Sequence, residues 1–200
     1  FLEHGNLMLS LGCTRVELGI QSVYDDALSA INRGHTVADN KKAIQILKDL
    51  GFKLNFHMML GLPTVDREHD IAGLRFLFTD SYFRPDMIKI YPLMVMPGTL
   101  LEQDFKKGLF KPLSTSEAAE IIAHSISFVP KYCRIMRVQR DIPTYRIVDG
   151  VDKTNLRQYV DEVMKRDGIV SRDIRARESG RKDISCSPKV ELKVLEYEAS

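Results

Sequence analysis

Arg15-Val16-Glu17-Leu18-Gly19-Ile20-Gln21-Ser22 leads through Asn32-Arg33-Gly34-His35-Thr36 and a helix-patterned run to Asn55-Phe56-His57-Met58-Met59-Leu60-Gly61-Leu62-Pro63. Val16, Leu18 and Ile20 alternate as in a strand that turns polar at its carboxyl end. Thr36 has the chemistry of an N-cap, with Asp39 in the first turn. Val37, Ala43, Ile44, Leu47 and Leu50 then recur at helical spacing until Gly51. Lys53 to Met59 is the next strand. A strand, a helix and a second strand make the βα unit of a parallel sheet or barrel. There, side chains at the carboxyl ends of the strands face the ligand.

Outward from this unit the pattern repeats. Leu2 to Leu11 reads as a helix stopped at Gly12, and Tyr24 to Ile31 as a short one. Arg67 to Phe78 is helical and Met87 to Tyr91 a third strand, closed by Pro92. Helices follow near Leu100 to Lys107 and from Ser116 to Phe128, the latter opened by the capping box Ser114-Thr115-Ser116-Glu117. Cys133 to Val138 reads as a short strand, Asn155 to Arg166 as a helix, and Val190 to Leu195 as a last strand. Three parallel strands joined by helices predict an α/β fold built on a parallel sheet or barrel; a family resemblance carried by the motifs implies the C-terminal part of a partial TIM-type barrel. Residues 1–130 form that part and 131–200 a basic α+β linker. A full barrel needs more strands, so the chain is expected to be an interior segment of a longer protein.

The chain has 200 residues and a formal charge of +2. That total hides an asymmetry. Lys131 to Lys182 holds 14 Lys/Arg and 8 Asp/Glu, a net of +6, and the remainder is net −4. One basic third in a near-neutral chain suits a polyanionic partner. No apolar run is long enough to span a membrane and no signal-peptide pattern opens the chain, so a cytoplasmic location is expected. Cys13, Cys133 and Cys186 lie too far apart for metal-ligand spacing, and no metal site is expected.

Several residues carry candidate chemistry. Gln21 offers a donor pair and an acceptor, which suits an amino-acid-like ligand. Glu17 lies four residues earlier, on the same face at a period of two. Arg33 can bind a carboxylate bidentately. His57 ends the second strand, and Gly61-Leu62-Pro63 lets the backbone approach a ligand. Lys89 and Tyr91 give one side of the third strand a polar character. Arg134, Arg137 and Arg140, then Arg172, Arg175 and Arg177, accompany Tyr132, Tyr145 and Tyr159 in the basic third. That mixture suits phosphate contact and base stacking.

Taken in order, the segments Glu17 to Tyr24, Asn32 to Thr36, His57 to Met59, Phe83-Arg84-Pro85-Asp86, Arg137-Val138-Gln139-Arg140-Asp141-Ile142-Pro143 and Arg172 to Glu178 resemble the hallmarks of the catalytic subunit of Elongator. That family is a radical S-adenosylmethionine tRNA carboxymethyluridine synthase. The resemblance implies S-adenosylmethionine, a [4Fe–4S] cluster and acetyl-CoA as cofactors, and the anticodon stem-loop of tRNA as partner, with other Elongator subunits or a second copy beside it. It implies that Gln21 and Arg33 face the S-adenosylmethionine pocket and that His57, Lys89 and Tyr91 line the same cavity. The six arginines would face tRNA.

This sequence lacks the family's three-cysteine motif and its acetyltransferase-like domain, so the chain alone is expected to be inactive. Ser171, Asp173 and Ala176 stand where some relatives carry zinc-binding cysteines. Two other readings stay open: a non-catalytic RNA-binding or scaffolding module, and a radical enzyme of the coproporphyrinogen oxidase type.

Overall fold

The computed structural model describes residues 2–139, 142–181 and 191–198. Strands β1 (Arg15–Gln21), β2 (Lys53–Leu60), β3 (Met87–Pro92) and β4 (Arg134–Arg137) form one sheet in the order β1-β2-β3-β4, all parallel. Spatial order equals chain order. With right-handed crossovers this stacks every helix on the same side, the winding of a barrel rather than of a doubly wound sheet. The sequence had ended the parallel run at three strands. Asp86 and Asp173 explain the fourth. The Asp86 carbonyl accepts from Arg134 N–H at 3.0 Å, and the Asp173 carboxylate accepts from Ile135 N–H at 3.0 Å.

Helix α1 (Leu2–Ser10) precedes β1. Helices α2 (Asp25–Ala30) and α3 (Val37–Asp49) join β1 to β2, and α4 (Arg67–Thr79) joins β2 to β3. Helices α5 (Leu100–Lys106) and α6 (Thr115–Ile126) lead to β4, and α7 (Leu156–Arg166) packs on α6. The start signals act as the sequence chemistry predicts. Thr36 and Asp39 form one capping box and Ser114 and Glu117 another. Each satisfies orphan N–H groups at a helix start, worth about 1 kcal/mol.

The core lies between sheet and helices. Leu54, Phe56, Met58 and Leu60 of β2 alternate inward and meet Ile44, Leu47, Leu74, Leu77, Ile121 and Ile122. Phe56 and Phe83 meet edge to face at 6.3 Å, both fully buried. Each such side chain contributes roughly 1.5–3 kcal/mol of burial. The opposite alternate set, Glu17, Asn55, His57, Lys89 and Tyr91, occupies the face turned away from the helices.

Two expectations change. The predicted strand at Val190 to Leu195 is absent from 191–198, and Val190 lies outside the described residues. Leu192 and Val194 are 92% and 78% exposed, so this alternating pattern is paired with no strand and packed on no apolar face. Tyr197 instead stacks on Tyr132 at 4.1 Å, and Arg84 donates to the Glu198 carbonyl. The second change is in β1. Its register shifts between Leu18 and Gln21, and Gln21 has φ +65°. A simple period of two therefore does not carry Gln21 to the face of Glu17.

The turn after β2 depends on one buried carboxyl. Gly61, at φ +67°, donates its N–H to Asp70 at 2.8 Å. Burial pushes the Asp70 carboxyl up to about 7 from its ordinary 3.8, against the opposing pull of the Gly61 N–H. The folded state thus holds this proton more tightly than the unfolded chain. Stability from this group is full below pH about 4 and declines as pH rises towards 7. Asp70→Asn keeps an acceptor for Gly61 and removes the decline. The urea midpoint of the variant relative to the original chain should rise between pH 5 and pH 8; an unchanged difference would contradict this assignment.

Candidate functional site

Glu17 organises the face turned away from the helices. Its Oε2 accepts from Lys89 Nζ at 2.6 Å and lies 2.6 Å from His57 Nε2, while its Oε1 accepts from Asn55 Nδ2 at 3.1 Å. One carboxylate on β1 therefore ties side chains of β2 and β3. The sheet register places Glu17 beside Asn55 and His57 beside Lys89. The His57 and Tyr91 rings meet edge to face at 5.6 Å. Partial burial would raise the Glu17 pKa, but the hydrogen bonds from Lys89, His57 and Asn55 and the Lys89 charge outweigh it, and the carboxyl falls to about 2. His57, Lys89 and Tyr91, read separately from the sequence, are thus brought together. Glu17 is the residue the candidate set missed, and its signal was present: it is the sole acid in the four strands.

Gln21 and Arg33 converge on Gly19. A Cβ at Gly19 would lie 2.4 Å from Arg33 Nη2 and 2.9 Å from Gln21 Nε2. The irregular end of β1 thus returns the Gln21 amide over the strand face. Any larger residue there would have to displace the Arg33 and Gln21 side-chain ends from this arrangement. Gln21 is 5% exposed, and its Oε1 is buried with no hydrogen-bond partner. A buried carbonyl oxygen without a donor is costly, on the order of 1–3 kcal/mol. The Arg33 guanidinium has no hydrogen-bond or ion-pair partner among the described residues, and it borders a cleft of about 630 Å³ with Asn32, Gly34, His35 and Thr36. An unmet acceptor beside an unmet cation matches the ammonium and carboxylate of an α-amino acid.

Two further clefts flank the sheet. One of about 230 Å³, lined by Met59, Leu93, Met94, Met96 and Leu101, lies at the carboxyl ends of β2 and β3. A wider one of about 790 Å³ lies at the amino ends, among Arg15, Lys53, Asp86, Tyr132, Arg134 and Tyr197. Size favours the second, but parallel barrels work at the carboxyl ends. Its Asp86 is also engaged, accepting from Leu54 N–H at 2.9 Å.

The arginines of the basic third divide by role. Arg137 is exposed and pairs in register with Lys89, which sets it one strand beyond the Glu17 network. Arg134 forms an ion pair with Glu178. Arg172 donates to the Ser127 carbonyl, Arg175 to that of Met136, and Arg177 to those of Arg172 and Lys131. Arg175 ties this segment to β4, Arg172 ties it to the end of α6, and Arg177 ties it to the turn before β4, as well as adding charge. Arg140 lies outside the described residues. Asp173, fully buried, accepts from Ile135, Arg175 and Ala176 N–H groups and from Ser171 Oγ. Its carboxylate is thereby committed to holding 171–177 against β4. Among the described residues, no group of three or more His, Cys, Asp or Glu is placed to hold a metal.

Comparison with known proteins gives this geometry a family. Residues 2–77 match the Radical SAM superfamily and residues 85–166 the Radical SAM C-terminal domain. The chain belongs to the radical S-adenosylmethionine family of Elongator's catalytic subunit. It is 46% identical to the tRNA uridine(34) acetyltransferase of Methanocaldococcus infernus over 98% of its length, and 44% identical to human Elongator complex protein 3 over 91%. These alignments cover 38% and 33% of the two relatives, so the chain spans about a third of their length. The solved archaeal Elp3 of M. infernus with its N-terminus deleted superposes at a TM-score of 0.85 with 48% identity, over 88% of this chain and 41% of that one. This closes the coproporphyrinogen oxidase alternative. No helix among the described residues is long and apolar enough to cross a membrane.

The lowered Glu17 pKa has a checkable consequence. A carboxyl depressed from 4.5 to about 2 helps the fold above the unfolded value and loses that help as pH falls between the two. A carbon-13 titration of the Glu17 carboxyl should show a midpoint near 2. A midpoint near 4.5 would show that the three-strand network does not form.

Proposed function

We propose that this chain supplies the S-adenosylmethionine pocket and part of the tRNA-facing surface of an enzyme that carboxymethylates C5 of the wobble uridine of tRNA. The observation that carries the reading is the pair at Gly19: the buried, partnerless Oε1 of Gln21 and the partnerless guanidinium of Arg33. Arg33 binds the carboxylate of the methionyl group and Gln21 Oε1 receives its ammonium. Lys89, His57 and Tyr91 bound the adjoining wall. When bound, S-adenosylmethionine supplies the radical chemistry; the chain's residues position it and exclude water around it.

A [4Fe–4S] cluster does not fit the described residues. Cys13 and Cys133 are free and far apart in sequence, and the Cys133 thiol is buried. Acetyl-CoA, as carbon source, is assigned to a part of the enzyme outside this chain. Elongator subunits or a second copy as partners, and a cytoplasmic location, belong to the same reading.

Residues 131–200 serve as the tRNA-facing part, with Arg134, Arg137, Arg140, Arg172, Arg175 and Arg177 contributing positive potential towards the anticodon stem-loop. Arg137 is an accessible probe because it is exposed; Arg172, Arg175 and Arg177 hold backbone carbonyls. Lys41 is a poor control for such work. It pairs with Asp80 at 3.0 Å and lies 4.8 Å from the Tyr82 ring, so its loss affects folding. Exposed Lys42 on the same helix is the better one.

Two measurements test the reading. Arg33→Ala should weaken S-adenosylmethionine binding to the chain about 10- to 150-fold, the loss of a charge-assisted bidentate contact worth about 1.5–3 kcal/mol. Unchanged affinity removes the pocket assignment. For tRNA, Arg137→Ala should reduce the slope of log affinity against log salt by about 0.7–0.9, and Lys42→Ala should leave it unchanged. Equal slopes for the two variants would make the basic third an ordinary solvated surface.

A further inference from the structure

Glu17 stands where neither the pocket nor the tRNA surface requires an acid. The four strands carry Arg15, Lys53, Lys89, Arg134 and Arg137, and this single carboxylate among them. A surface meant to attract a polyanion gains nothing in net charge from it. Its placement explains its presence. Glu17 Oε2 lies 2.6 Å from both Lys89 Nζ and His57 Nε2, so one oxygen serves two cationic or donor groups from two strands. Its second oxygen takes Asn55 Nδ2.

An ionised carboxylate has no proton to give. At 2.6 Å, His57 Nε2 must therefore carry the hydrogen, since two bare acceptors at that distance would repel. In the neutral ring the other nitrogen, Nδ1, is then left as an acceptor. Tyr91 fixes the ring further through its edge-to-face contact. Lys89 is held in the same act as an ammonium with two N–H donors beyond the one given to Glu17.

We propose that Glu17 is the positioning residue of this site: it sets the His57 tautomer so that Nδ1 is presented as a hydrogen-bond acceptor, and anchors Lys89 beside it as a donor. The pair would thus meet a ligand group that offers a donor next to an acceptor. That ligand side of the inference rests on the pocket reading above; the tautomer does not.

The test is nitrogen-15 NMR of the chain with labelled histidine at pH 8.5, above the ordinary histidine range. The His57 signals are identified by their loss in His57→Gln. The original chain should show Nε2 protonated and Nδ1 bare. In Glu17→Gln the amide can donate to Nε2, and His57 should move to the Nδ1–H tautomer or to a mixture. A Glu17→Asp variant, with the same charge on a shorter stem, should restore the Nε2–H form at least in part. An Nδ1–H or doubly protonated His57 in the original chain overturns the proposal without any variant. So does an unchanged His57 spectrum in folded Glu17→Gln. A general loss of structure would scatter all histidine signals, not exchange one tautomer for the other. The outcome is independent of Arg33: a failed S-adenosylmethionine titration with a correct tautomer shift would remove the pocket reading and leave the role of Glu17 standing.

Discussion

The carboxylate of Glu17 is the interaction on which the working face depends. It is one acid among five strand cations, and it gathers donors from three positions on two neighbouring strands. Without it, Lys89 and His57 would stand side by side with no common partner, and each could swing to solvent. An isolated surface ion pair is worth little, but a shared, partly buried carboxylate with three donors orients groups as well as stabilising them. The parallel register makes this possible, since it sets Glu17 beside Asn55 and His57 beside Lys89.

The second constraint is steric. Gly19 leaves the space in which Arg33 and Gln21 approach one strand, and the positive φ of Gln21 turns its amide over that space. The result is a polar pair whose hydrogen-bonding capacity is unmet. Native proteins rarely leave a buried carbonyl oxygen without a donor, and such exceptions call for a ligand or a water. The Gly61 turn, held by Asp70, fixes the neighbouring strand end. The candidate-site residues thus rest on three separate local devices: a register shift, a glycine gap and a buried side-chain acceptor.

Much of this was legible in the chain. The apolar alternation of β1 and β2, the Thr36 and Ser114 caps and the glycine stops predicted the elements within one or two residues, because local chemistry decides them. His57, Lys89 and Tyr91 were legible as polar residues on strands, although His57 does not end its strand: β2 runs on to Leu60. The fourth strand's place in the sheet was not, because β4 has four residues and its pairing is settled by Asp86 and Asp173, distant in sequence. The strand expected at Val190 to Leu195 shows the converse: its described residues, 191–195, form no strand, since alternation alone cannot create a neighbour. The carbonyl-holding roles of Arg172, Arg175 and Arg177 were equally invisible, since composition shows charge and not its partners. Glu17 was seen as sharing a face but not as its hub, because that role exists only once three strands are side by side.

The central claim is that the carboxyl ends of β1 and β2, and not the wider cleft at the amino ends, receive an amino-acid-bearing nucleoside. Backbone amide shift mapping of the chain with S-adenosylmethionine tests this most directly. The account predicts that the largest changes fall at Gln21, Ser22, Arg33, Gly34 and Gly61. Changes centred on Lys53, Tyr132, Arg134 and Tyr197 would contradict it.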